Sequence, residues 1–238
     1  MKRIFVMIAF AITASVLALG SEGRKQSASE PPELVSFPTQ DGGLIYADLY
    51  GRGDRGVVLA HGGRFTKESW EKQARVLVKA GFRVLAIDFR GRGQSRDGAQ
   101  TQPPEDGVRF DVLAAIRYLR KTGTKTVSVV GASFGGGAAA EASIEAEPGE
   151  IDRLVLLAHS PINKPEQMKG RKLFILSRDD FSGDNKKPRL PRIRDQYERA
   201  SGPKELVILE GSAHAQFIFE TEQGERLMRE ILRFLSEP

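Results

Sequence analysis

The sequence predicts an α/β domain: a mostly parallel central sheet with helices on both faces and an antiparallel hairpin at its N-terminal edge. Three observations carry that expectation. Short apolar, β-branched runs alternate with stretches of helical period, the pattern that builds parallel sheets through right-handed crossovers. Two alternating runs, Leu34 to Phe37 and Leu44 to Tyr50, are joined by Thr39-Gln40-Asp41-Gly42-Gly43, which reads as a hairpin. Third, the run Val127 to Val130 passes through Gly131-Ala132-Ser133-Phe134-Gly135 straight into an alanine-rich stretch, so strand, sharp turn and helix follow without a gap. At 238 residues the chain has room for one sizeable domain and is short for two.

The first twenty residues stand apart from this pattern. Lys2 and Arg3 precede an apolar run from Ile4 to Leu19, and Ala18 and Gly20 are small residues where a signal peptidase would read them. This predicts a secretory signal peptide over 1–20, rather than a retained anchor, followed by a polar linker over 21–32 and a single domain over 33–238. After the hairpin, Val57 to Ala60 is a short buried strand running into His61-Gly62-Gly63-Arg64. Trp70, Ala74, Leu77 and Val78 recur at helical spacing, and Gly81 supplies the stop. Arg83 to Ile87 is the next strand, and a polar loop with Gly and Pro extends to about Glu105, long enough to cover part of a binding site. Val112, Ala115, Ile116 and Leu119 mark the helix leading to the serine strand. Beyond it come strands at Leu154 to Ala158 and Leu173 to Leu176 and a helix carrying Leu190, Ile193 and Tyr197. A last strand at Leu206 to Leu209 and a closing helix faced by Leu227, Ile231 and Leu235 complete the chain.

Composition narrows the chemistry. With 40% hydrophobic and 28% charged residues the chain has a soluble globular balance. It holds 36 Lys and Arg against 31 Asp and Glu, so loss of Lys2 and Arg3 leaves 34 against 31, a net +3. That mild charge does not argue for a nucleic-acid partner. Zero cysteines exclude a thiol nucleophile, Cys-ligated metal and disulfides, and also a lipoprotein signal. Covalent catalysis would fall to a hydroxyl.

Ser133 is the candidate. In Gly-x-Ser-x-Gly between strand and helix, the serine sits on a strained turn that leaves no room for a Cβ two residues to either side, and Gly131 and Gly135 fill both places. The helix behind it aims unpaired N–H groups at the space beside the serine oxygen, an approach that Gly136 and Gly137 are expected to keep open. A serine needs a base, and the chain has three histidines. His61 precedes Gly62-Gly63 on a turn suited to an oxyanion hole, where its ring is expected to bond a loop. His159 precedes every acidic candidate. His214 lies between the last strand and the closing helix, past a strand end on the same face as Ser133. Asp179 and Asp180, past another strand end, both remain open as the orienting acid.

From about Glu33 onward the chain resembles the α/β-hydrolases. The resemblance is carried by His61-Gly62-Gly63, by Asp88-Phe89-Arg90-Gly91-Arg92-Gly93-Gln94-Ser95, by the Gly131 to Gly135 elbow, and by the order Ser133, Asp180, His214. It implies that Ser133 attacks an acyl carbonyl, that His214 shuttles the proton, and that Asp180 orients the imidazole. The backbone N–H groups of Gly63 and Phe134 would hold the oxyanion. Relatives commonly place a glycine at the strand end, then two variable residues and the acid, a spacing that selects Asp180 and turns Asp179 toward solvent or Arg178. Serine at the nucleophile separates the chain from members with aspartate or cysteine there. The short connection between Ala158 and Leu173 leaves no space for a large cap. The expected activity is hydrolysis of small carboxylic esters by an exported enzyme, with a thioesterase or acyltransferase using the same residues as the alternative, and a silent ligand-binding member as a third reading. No cofactor, metal, nucleic acid or lasting membrane association is called for.

Overall fold

The computed structural model describes residues 30–98, 107–183 and 187–237. The leader expected at 1–20, most of the linker expected at 21–32, and residues 99–106 of the long loop lie outside them. An eight-stranded sheet spans the domain. Its strands are β1 (Glu33–Pro38), β2 (Leu44–Tyr50), β3 (Arg55–Ala60), β4 (Arg83–Ile87), β5 (Thr126–Ala132), β6 (Arg153–Leu157), β7 (Arg171–Ser177) and β8 (Lys204–Leu209), in the spatial order β1-β2-β4-β3-β5-β6-β7-β8. β1 and β2 pair antiparallel, with Phe37 opposite Ile45, and β2 joins β4 antiparallel; every other pairing is parallel. The hairpin loop is closed by Thr39 N–H bonding Gly43 O at 2.8 Å, with Gly42 at φ 88°.

The helices are α1 (Glu71–Lys79), α2 (Val108–Lys121), α3 (Phe134–Glu145), α4 (Leu190–Arg199) and α5 (Gly224–Ser236). From β3 the chain steps back to β4 through α1, then crosses forward to β5 through α2. Right-handed crossovers therefore put α1 on one face and α2, α3 and α4 on the other. The central strands are apolar on both sides, as a doubly covered sheet requires: Val57, Val58, Val129, Leu154, Val155, Leu173 and Ile175 have no exposed surface. Val112, Ala115, Ile116 and Leu119 face that core from α2, and Leu227, Ile231 and Leu235 do so from α5. Trp70 is buried too, but it ends a 3-10 turn (Lys67–Trp70) ahead of α1, and Val78 is only partly buried. A second 3-10 turn, Ala215–Glu220, precedes α5. Hydrophobic period does not foretell it, because a single short turn repeats no stripe.

Arg90 ties the hairpin to α2. Its guanidinium bonds both carboxylate oxygens of Asp41, at 2.7 and 3.0 Å, and Oδ1 of Asp111 through Nε and Nη2, at 2.9 and 2.7 Å. Its own N–H adds a 3.0 Å bond to Asp111 Oδ2. All three side chains are buried.

Candidate active site

At the end of β5 the chain turns through Ser133, whose φ of 50° and ψ of −114° are strained for a residue with a Cβ. The turn is held by Ser133 N–H to Leu157 O at 2.8 Å, and its carbonyl accepts from Ser160 N–H at 2.9 Å. Crowding explains the flanking glycines. A Cβ on Gly131 would stand 2.5 Å from Gly135 O, and one on Gly135 would collide with the carbonyl oxygens of Ala60 and His61. Gly136 and Gly137 have a different reason from the one expected. A Cβ on Gly136 would reach His159 Cβ at 2.8 Å, and one on Gly137 would reach Ser160 Cβ at 3.0 Å. They let α3 settle on the segment after β6 rather than open the approach to its N-terminus.

Three residues from three strand ends form one hydrogen-bonded line. Ser133 Oγ lies 2.8 Å from His214 Nε2, and His214 Nδ1 lies 2.7 Å from Asp180 Oδ2. A carboxylate can only accept, so Nδ1 carries the proton and Nε2 is left to accept from the serine hydroxyl. Asp180 is wholly buried, whereas the His214 side chain is 27% exposed, open to a reactant. The second Asp180 oxygen meets Arg189 Nε at 3.2 Å, and Arg189 N–H bonds the Asp180 carbonyl at 2.9 Å. Asp179 turns outward and is exposed. Arg178 does not receive it as an ion pair; its guanidinium pairs with Glu210 at 2.9 Å. Arg189 sits just before a helix rich in arginine and carries no motif, so nothing in the sequence marks it.

Opposite the elbow, β3 ends in the turn His61-Gly62-Gly63. The Gly63 Cα faces Phe134, since a Cβ there would lie 3.6 Å from Phe134 Cβ. Phe134 opens α3, so its N–H has no intrahelical acceptor. His61 is buried and bonds Gly62 O through Nδ1 at 2.8 Å while Nε2 receives Phe89 N–H at 3.4 Å, and burial pushes its pKa below the usual histidine value. This loop-bonding ring is the role the sequence suggested. The Gly62 carbonyl also accepts from Phe65 N–H at 3.0 Å, and Arg92 donates to Gly63 O at 2.6 Å. Gln216, two residues past His214, accepts Gly62 N–H at 2.7 Å. Asp88 and Ser95 are scaffold: Asp88 accepts Lys67 N–H at 2.8 Å, and the Ser95 hydroxyl donates to Asp88 O while accepting Tyr46 N–H.

His159 is fully buried beneath the elbow, with Nε2 2.7 Å from Gln196 Oε1, and burial pushes its pKa down to about 3. It has no bond to Ser133. Phe181 and Phe217 are exposed near the site residues Asp180 and His214, and Phe217 meets Phe65 with ring centroids 5.0 Å apart. Among the described residues no cluster of three or more His, Cys, Asp or Glu could hold a metal, and no helix is long and apolar enough to cross a membrane.

The family model for the alpha/beta hydrolase fold matches residues 56–215. Among characterised relatives, a non-heme chloroperoxidase of Streptomyces lividans is 34% identical over 129 residues, 54% of this chain and 45% of that protein. A bifunctional esterase/perhydrolase of Acinetobacter calcoaceticus is 32% identical over 127 residues, 52% of this chain and 44% of its own. The matched region thus spans less than half the length of either relative. An esterase of Pyrococcus furiosus superposes with a TM-score of 0.70 at 20% identity, covering 88% of this chain and 92% of its own. An esterase of Exiguobacterium antarcticum does so at 0.68 and 14%, covering 85% and 99%; at such identities the likeness is one of fold. The family match over two thirds of the sequence, the sheet order and the strained serine turn agree: the chain belongs to the alpha/beta hydrolase fold family.

Proposed function

We propose that the protein is a serine hydrolase that cleaves small carboxylic esters through an acyl-enzyme. The observation that carries the reading is the unbroken line from buried Asp180 through His214 to Ser133 Oγ on a turn with positive φ. In the first half-reaction Ser133 Oγ attacks the ester carbonyl as its proton passes to His214 Nε2. The imidazolium so formed is stabilised by Asp180, which stays ionised. Charge on the carbonyl oxygen is received by the N–H groups of Gly63 and Phe134. Collapse expels the alcohol, which takes the proton from Nε2 and leaves Ser133 acylated. Water then attacks the acyl carbon as its proton passes to His214 Nε2, and collapse of that intermediate releases the acid and returns the proton to Ser133 Oγ.

Whether the acyl group goes to water or to another acceptor is a separate matter. A relative named both esterase and perhydrolase supports a second reading, in which hydrogen peroxide attacks the same acyl-Ser133 and leaves as a peracid, with no change in the residues used. Thioester cleavage and acyl transfer would draw on the same line. Export after loss of Met1 to Gly20 belongs to the proposal on the strength of Lys2, Arg3 and the apolar run, and the intact mass of periplasmic or secreted protein tests it.

The test of the main reading is a fluorophosphonate probe together with a panel of acyl esters. Wild-type protein labels at Ser133 and releases acid, while Ser133→Ala does neither and keeps its melting temperature. Hydrolysis surviving in the alanine variant, with no trapped acyl group, overturns the assignment of the nucleophile.

A further inference from the structure

We infer that Gln216 is a positioning residue for the oxyanion turn: it pins the turn bearing Gly63 to the segment that carries His214, so that base and oxyanion donor are set by one piece of chain. The inference rests on the serine-hydrolase reading above. The turn His61-Gly62-Gly63 has two consecutive glycines, whose wide conformational freedom makes the direction of the Gly63 N–H costly to fix. An oxyanion donor is effective only if it is already aimed within a few tenths of an ångström of the developing charge. Something other than local backbone preference has to aim it.

The bonds around Gly62 do so from both sides. In a trans peptide the C=O and N–H point in opposite directions, so holding Gly62 O fixes where Gly63 N–H points. His61 Nδ1 at 2.8 Å and Phe65 N–H at 3.0 Å hold that oxygen. The preceding peptide is held by Gln216, whose Oε1 accepts Gly62 N–H at 2.7 Å. The Gln216 amide is itself oriented: Nε2 donates to Ser69 Oγ at 2.9 Å, and that hydroxyl donates to Thr66 O at 2.6 Å. Gln216 is only 5% exposed, so neither its amide nor Gly62 N–H has water as a ready substitute. His214 is joined to it through Ala215 alone, a residue at φ 50° that turns the chain from the imidazole into the 3-10 turn. The Gln216 side chain spans 154 residues of sequence to do this and touches no reacting atom.

Gln216→Met keeps length and bulk and loses the acceptor. It should lower kcat by about tenfold to a hundredfold, less than outright loss of an oxyanion donor, with KM changed by less than about threefold. The rate of fluorophosphonate labelling should fall in parallel. The acid limb of the kcat/KM profile should stay within about 0.3 pH unit, because His214 keeps its bonds to Asp180 and Ser133. Gln216→Glu retains an oxygen that accepts Gly62 N–H but loses the donation to Ser69 Oγ, so it should recover only part of the kcat lost in Gln216→Met. Ser69→Ala, which leaves Gln216 in place but frees its amide, should show a smaller loss of the same kind and keeps the test available if Gln216→Met does not fold. Unchanged kcat in folded Gln216→Met overturns the inference, as does a shifted acid limb, which would mean the residue acts through His214. If wild-type protein fails to label or Ser133→Ala remains active, it is the serine-hydrolase reading that falls instead.

Discussion

Asp179 and Asp180 are neighbours with opposite surroundings. Asp180 has no exposed surface and both its oxygens are occupied, by His214 and Arg189, whereas Asp179 faces solvent and its N–H bonds Gly211 O at 3.0 Å. Asp180→Asn should therefore lower turnover by about four orders of magnitude, as loss of the orienting acid does in a comparable triad, and Asp179→Asn by less than about tenfold. Steady-state kinetics of both variants on one ester decide it; the reverse ranking moves the role to Asp179. His159 gives a second expectation, in stability rather than rate. Its folded-state pKa, about 3, lies below the unfolded value of 6.5, so the unfolded chain takes up the proton first. Stability is lost as pH falls from 6.5 toward 3, by up to about 1.4 kcal/mol per pH unit from this group. In urea titrations across that window His159→Gln should show a shallower dependence than wild type, and equal slopes would show that His159 is not held neutral. His214 was legible because three histidines leave few choices and strand ends rank them. Arg189 and Gln216 were not, since a side chain that serves by meeting one distant backbone group or carboxylate leaves no local pattern.

The strand–turn–helix at Ser133 and the eight strands were legible because periodicity and glycine placement are local physics. Gly131 and Gly135 occur where a Cβ would strike backbone, and the hairpin forms where Asp41-Gly42-Gly43 allows the turn. The 3-10 turns at Lys67–Trp70 and Ala215–Glu220 were not legible, because tertiary partners shape them: Trp70 meets Phe219 edge-on across the two turns, with centroids 5.9 Å apart. At the elbow, Gly135→Ala should destabilise the fold by about 3 kcal/mol, since its new methyl meets the carbonyls of Ala60 and His61 rather than a side chain able to yield. Chemical denaturation measures this, and a change below about 0.5 kcal/mol would mean the β3 and β5 ends can part more easily than their packing implies.

For the whole molecule, the connection from β6 to β7 contains one short 3-10 turn, Pro165–Gln167, and no cap rises from it over Ser133. Short or compact acyl chains should therefore be the better substrates, without activation at lipid interfaces. Rates across p-nitrophenyl esters of graded length test this, and a best rate on emulsified long-chain lipid contradicts it. The Arg90 clamp bears on a different property, the order in which the molecule assembles and comes apart. Its bonds close chain segments of 49 and 21 residues and need the hairpin loop, the end of β4 and α2 all in place. Arg90→Met, which takes the guanidinium away from the fully buried Asp111, should cost about 3–5 kcal/mol. If the clamp closes after the transition state, nearly all of that cost falls on the unfolding rate, raised about a hundredfold or more while refolding keeps its pace. Stopped-flow chevrons read the division directly, and a matching slowdown of refolding would put Arg90 in the nucleus. On the first outcome the clamp governs how long each folded molecule lasts rather than how quickly it forms.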